Sequence, residues 1–145
     1  FCGGYSTPAI TNVIDYVEIA TTGDAIDFGD VTDTGTYKAC ASNGTRGLIT
    51  GNGAVGTGSN VIEFVTIATL GNGQDFGDLT VSRQTSGATS NITRGVFGGG
   101  GTPSRSNVID FVTIASAGNA QDFGDLVQQR SSIKAVGDAH GGLVR

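Results

Sequence analysis

The sequence contains no Met and no Trp, one His, two Cys and two Pro, and only 14% of its residues are charged. A lone histidine, His140, and two cysteines at unrelated places, Cys2 and Cys40, assemble no zinc-type ligand set. No segment approaches the roughly 18 uninterrupted apolar residues of a membrane helix, so a helical membrane span is excluded. Basic residues are also scarce. Eight Lys and Arg against thirteen Asp and Glu give a net charge of −5, which opposes counterion release and argues against a nucleic-acid partner. The opening Phe1-Cys2-Gly3-Gly4 has neither an initiator Met nor a basic-then-apolar leader, so the chain reads as a piece of something longer with no signal peptide.

What the sequence has in abundance is glycine, 25 in 145 residues, and repetition. Residues 12–31, 60–79 and 107–126 are three copies of one block. The second and third differ only at Glu63/Asp110, Thr69/Ser116, Leu70/Ala117 and Gly73/Ala120. Asn12, Asn60 and Asn107 set the spacing at 48 and then 47 residues. Thr45-Arg46-Gly47-Leu48-Ile49 and Thr93-Arg94-Gly95-Val96-Phe97 also correspond, and Phe1 aligns with Ile49, Phe97 and Val144. Residues 1–145 are therefore one array holding three repeat lengths, which either continues beyond both ends or closes by joining them.

Each repeat reads as β. Val108, Val112 and Ile114 fall on one face of a period-two strand, with Ile109 and Phe111 on the other. A strand apolar on both faces is sandwiched between neighbours, and Val61, Ile62, Phe64, Val108, Ile109 and Phe111 are expected to be buried. Thr93 to Gly98, Asp122 to Leu126 and, more weakly, Gln84 to Asn91 supply three further strands. Four antiparallel strands per unit of about 47 residues match a propeller blade, whose two faces are covered by adjacent blades. A β-trefoil is the rival, since it too builds three four-stranded repeats in about this length.

Val96-Phe97-Gly98-Gly99, then Asn107-Val108-Ile109-Asp110-Phe111, then Phe123, Leu126 and Arg130 resemble a kelch repeat. A kelch blade has a Gly-Gly doublet, a Tyr, a Trp and a basic residue opening the next blade. Phe111 and Phe123 stand at the two aromatic positions here, and Gly35 stands where Arg83 and Arg130 do. The resemblance implies a galactose-oxidase-type propeller of kelch-like blades, without the Tyr-Cys cross-link and paired histidines of that enzyme's copper site. The wording I-D-F-V-T-I-A-S-A-G-N-A-Q-D-F-G-D-L after T-R-G-V-F-G-G-G is similar to repeats in virion proteins of tailed bacteriophages, including cyanophages. That similarity implies a virion protein of a tail fibre or other appendage, assembled in the host cytoplasm and carried on the extracellular particle. In a reducing cytoplasm Cys2 and Cys40 are expected to be free thiols, although the residues alone also allow a disulfide.

The recurring Asp-Phe-Gly-Asp places Asp27 and Asp30, Asp75 and Asp78, and Asp122 and Asp125 at equivalent positions. Paired carboxylates around a glycine-permitted turn could contribute oxygens to a calcium ion. The stronger reading is structural: each Asp accepts backbone N–H bonds in a turn, and the Phe packs between blades. Arg46 and Arg94 recur as well, and are expected to pair with an Asp of their own or the adjacent blade. The Gly98–Gly101 run joins two strands, so it reads as a turn and not as a phosphate cradle. Asn43-Gly44-Thr45 and Asn91-Ile92-Thr93 fit the glycosylation pattern but receive no modification in this reading.

No catalytic constellation is present, because the acidic pairs repeat uniformly and do not converge once. The loops Thr50 to Ser59 and Gly99 to Ser106 differ between repeats while the strands hardly do. Variable loops on a fixed scaffold favour recognition, with Asn52, Thr57, Ser59, Thr102, Ser104 and Arg105 as the groups suited to sugar hydroxyls. The expectation is therefore a non-enzymatic host-recognition module. Its partners would be a cell-surface glycan or protein, other virion proteins, or further copies of itself. A purely structural spacer is the alternative, and a glycan-degrading enzyme the third.

Overall fold

The computed structural model describes residues 1–7, 9–51, 57–84, 86–101 and 103–137, which form eleven strands and no helix. Each repeat is organised around one apolar, β-branched strand: β2 (Ala9–Tyr16), β6 (Ser59–Thr66) and β10 (Val108–Thr113). A shorter strand precedes each of them: β1 (Cys2–Ser6), β5 (Arg46–Thr50) and β9 (Arg94–Gly98). The Asp-Phe-Gly-Asp segments follow as β3 (Ile26–Asp30), β7 (Gln74–Arg83) and β11 (Gln121–Asp125). The second and third repeats also open with a small-residue strand, β4 (Ala39–Ser42) and β8 (Gly87–Ser90). The strands form three antiparallel meanders, β1-β2-β3, β4-β5-β6-β7 and β8-β9-β10-β11. Every named ladder stays within one repeat.

The sheets pack face to face in chain order. Register separates the two faces of the second sheet, since Leu48 pairs with Phe64 and Ile49 with Glu63. Ile49 joins Ile14 and Val31 of the first sheet in one buried cluster, with Cys2, Phe28 and Val65 packed against it. Leu48 and Ile62 turn the other way, into a larger cluster with Phe76, Leu79, Phe97, Val112 and Ile114. Sheets two and three approach most closely along their first strands, β4 and β8. Small residues permit this. A Cβ on Gly95 would lie 2.9 Å from the Leu48 side chain and 3.7 Å from Ala41 Cβ.

Of the six side chains expected to be buried, Ile62 is fully so, while Val61, Phe64, Val108, Ile109 and Phe111 are half-buried. Phe97, Asp110, Val112 and Ile114 of the third unit are buried and face the second sheet. The opposite face of sheet three, with Val96 and Ile109, is covered only in part, by residues 126–135. Asp110 survives burial because it is paired. Arg83 of the second unit reaches it at 2.8 Å, both groups being 1% exposed or less, and also donates to the carbonyls of Val108 and Phe97. Thr80 completes the shell through its hydroxyl and backbone N–H. Removing one partner of such a pair typically costs about 3–5 kcal/mol, because the other charge stays buried.

The recurring Asp-Phe-Gly-Asp is a β-bulge. Ile14 pairs with Gly29 but Asp15 with Asp27, so Phe28 is the extra residue, and the same shift isolates Phe76 and Phe123. The following glycine has φ +145°, +141° and +136° in the three copies, a conformation that side-chain-bearing residues rarely adopt. The bulge aims the Phe out of its own sheet and exposes backbone groups for another strand to use. Those groups receive the next unit's turn. Gly71 and Gly73 donate to the carbonyls of Phe28 and Asp30, and Gly118 and Ala120 donate to those of Phe76 and Asp78. In return the N–H groups of Asp30 and Asp78 donate to the side-chain oxygens of Asn72 and Asn119. A Cβ at Gly77 would lie 2.5 Å from the Gly118 carbonyl, so this contact requires glycine twice over.

Candidate functional site

The three meanders have two ends with different contents. At one end lie the β2–β3, β6–β7 and β10–β11 turns, which recur and are spent on holding units together. The Asn-x-Thr turns share that end: Asn43 accepts from the Thr45 and Arg46 N–H groups, and Asn91 from those of Thr93 and Arg94. Asn43 also donates to the Ile92 carbonyl of the neighbouring unit. At the opposite end lie the β5–β6 and β9–β10 connectors, where the repeats diverge.

The structure brings these two divergent loops together across the β7–β8 connector. Ser59 pairs with Arg83, and a Cβ on Gly58 would touch the Arg83 backbone at 3.1 Å. One residue on, Gln84 bridges Gly101, whose N–H donates to the Gln84 carbonyl at 3.0 Å. Gly101 also bridges Arg105, closing the β9–β10 loop on itself. Thr57, Ser104 and Arg105 are exposed on this surface. Ser59 is half-buried, and its hydroxyl accepts from the Val61 N–H as Thr11 and Ser106 do for Val13 and Val108, so its hydroxyl serves its own strand. Asn52, Thr102 and His140 lie outside the described residues.

The six aspartates stand apart from this surface, in the bulges. Asp27 and Asp122 accept from Gly29 and Gly124, two residues on, at 3.1 Å each, and Asp30, Asp78 and Asp125 sit in the ladders opposite Val13, Val61 and Val108. Asp75 pairs with Glu63 in the ladder. Among the described residues no three His, Cys, Asp or Glu side chains come together as a metal-binding group. Arg46 and Arg94 lie over the rings of Phe64 and Phe111 at 4.7 and 4.5 Å, and Arg46 donates to the Ile114 carbonyl of the next unit. The buried pairing with an Asp falls to Arg83 instead.

Cys2 and Cys40 meet although their repeat positions are unrelated. Their sulfurs are 3.1 Å apart, between β1 of the first unit and β4 of the second. They line one side of a groove of about 410 Å³, which Phe1, Ser42, Ser90 and Gly137 share. The hydrogen bond between the two sulfurs pulls the Cys2 thiol down to about 7, helped by the Lys38 ammonium. The same bond pushes Cys40 up. Spacing gave no hint of this pair, because it depends on how two sheets stack.

No family model matches the sequence, and no curated protein does either.

Proposed function

We propose that this chain is a non-enzymatic segment of kelch-like propeller blades in a tailed-phage virion appendage, and that its β5–β6 and β9–β10 loops recognise a glycan or protein on the host surface. One observation carries the reading: the recurring residues are consumed in joining units, while the described residues of the divergent loops, Gly58-Ser59 and Gly101, flank Arg83 and Gln84 at the opposite end. Divergent exposed residues beside a recurring scaffold are the arrangement expected of a recognition module. Meander pairing confined to each repeat, with sheets closest along small-residue first strands, supports blades over a trefoil. The similarity of the repeat wording to phage virion proteins supports the location on the particle.

The test is an array of bacterial surface polysaccharides probed with the intact protein. Binding to one class of polysaccharide is expected, with Arg105→Ala or Thr57→Ala lowering affinity about tenfold and leaving the far-ultraviolet dichroism unchanged. Absence of binding across the array, with the same substitutions leaving infection unchanged, would assign the chain to the spacer role.

A further inference from the structure

The unit-to-unit contact described above is directional, and among the described residues its receiving half on the third unit and its inserting half on the first meet no other unit. On the third unit the receiving half is exposed. Phe123 is 54% exposed where its equivalent Phe76 is 2%, and a Cβ on Gly124 would meet nothing within 4 Å, whereas one on Gly29 or Gly77 would collide with the following turn. On the first unit the inserting half is exposed. Its turn, Gly23-Asp24-Ala25, has the register of Gly71-Asn72-Gly73 and Gly118-Asn119-Ala120, and Ile19 is 95% exposed where its equivalents Ile67 and Ile114, on units seated against a preceding one, are 46% and 0% exposed.

The two halves match in chemistry as well as shape. Inside the chain, Phe76 and Leu79 of one unit bury Val112 and Ile114 of the next. Phe123 and Leu126 are the same groups on the third unit, and Val17 and Ile19 their partners on the first. The carboxylate that accepts the backbone N–H of Thr32 is Glu63, and that of Thr80 is Asp110. The equivalents here are the N–H of Val127 and the carboxylate of Asp15. Arg130 has the register of Arg83, which pairs with Asp110, so it would meet Asp15 with opposite charge.

We propose that the exposed face of the third unit receives the first unit of a second copy of this chain, repeating the contact that joins its own units. The partner is a second copy because the complementary face is present on this chain in all its parts: turn, apolar pair and carboxylate. Such a contact is heterologous, so it propagates head to tail until the copies close a ring or extend as a filament. It is independent of what the loops recognise.

Analytical ultracentrifugation of the 145-residue protein tests this with two surface variants, Ile19→Glu on the inserting face and Val127→Glu, which sets a carboxylate against Asp15, on the receiving face. Both side chains are at least 95% exposed, so each variant keeps its fold, as circular dichroism would verify. The wild-type chain is expected to associate with rising concentration, and each variant alone to associate at least about tenfold more weakly. Mixed in equal amounts, the two variants retain one intact face each and are expected to form a dimer and nothing larger. Exchanging charges, Arg130→Glu with Asp15→Arg, is expected to restore part of the association that either substitution alone weakens, the Val127 N–H being left without its carboxylate acceptor. A wild-type chain that stays monomeric, variants that associate as the wild type does, or a mixture that stays monomeric would each overturn the proposal.

Discussion

Cys2 and Cys40 show what a single contact adds beyond the repeat. With the Cys2 thiol pulled down to about 7 and Cys40 pushed up, the thiolate fraction of Cys2 grows as pH rises through neutrality while Cys40 stays protonated. Alkylation by iodoacetamide, followed by peptide mass spectrometry, is therefore expected to label Cys2 first, at a rate rising between pH 6 and 8 as roughly expected for a group near 7. Equal labelling of both thiols across that range would contradict the assignment. Their 3.1 Å separation also places them close enough for oxidised glutathione to convert them to a disulfide, each sulfur losing one hydrogen. Closing a loop over their separation of 38 residues would stabilise the chain by about 4 kcal/mol on chain-entropy grounds. That gain would appear as a higher urea midpoint, reversed by dithiothreitol. Arg83 and Asp110 make the corresponding point for charge, since each is tolerable in the core only because the other is there.

The element that explains most of the architecture is the bulge built by Asp-Phe-Gly-Asp. Gly77 and Gly124 share nearly the same positive φ, so replacing either with Ala introduces the same backbone strain. Only at Gly77 does the new Cβ also meet the backbone of a following unit, 2.5 Å away. Gly77→Ala is therefore expected to lower stability by about 1–3 kcal/mol more than Gly124→Ala in urea titrations, whereas equal losses would mean that the turn does not seat on the bulge. Much of this element was legible from sequence, since an invariant wording at 47–48 residue spacing announces a structural unit and an Asp beside a glycine announces a turn. The one-residue register shift was not, because it depends on how β3, β7 and β11 align with their partners. The burial of Phe64 and Phe111 was overestimated: Arg46 and Arg94 lie over one side of the rings, and although Phe64 also packs against the cluster between sheets two and three, both rings stay half-buried. The β5–β6 and β9–β10 loops were readable as variable, but their adjacency runs through Arg83 and Gln84, which only the folded chain brings between them.

At the scale of the whole molecule, the three sheets cohere through a contact repeated from unit to unit, and that repetition is the central claim. It is carried by four backbone donors, Gly71, Gly73, Gly118 and Ala120, each bonded to the carbonyl of the preceding unit. Gly23 and Ala25 occupy the same positions in the first unit, where a Cβ on Gly23 would meet nothing within 4 Å. Amide hydrogen exchange, resolved by residue with the Val127→Glu chain to keep the receiving face blocked, measures this contact directly. The four inter-unit amides should exchange slowly, close to the rate of the strand cores, while Gly23 and Ala25 exchange near the rate of open chain. Exchange at Gly71 and Gly118 as fast as at Gly23 would contradict the account, because the units would then be joined by something other than this turn.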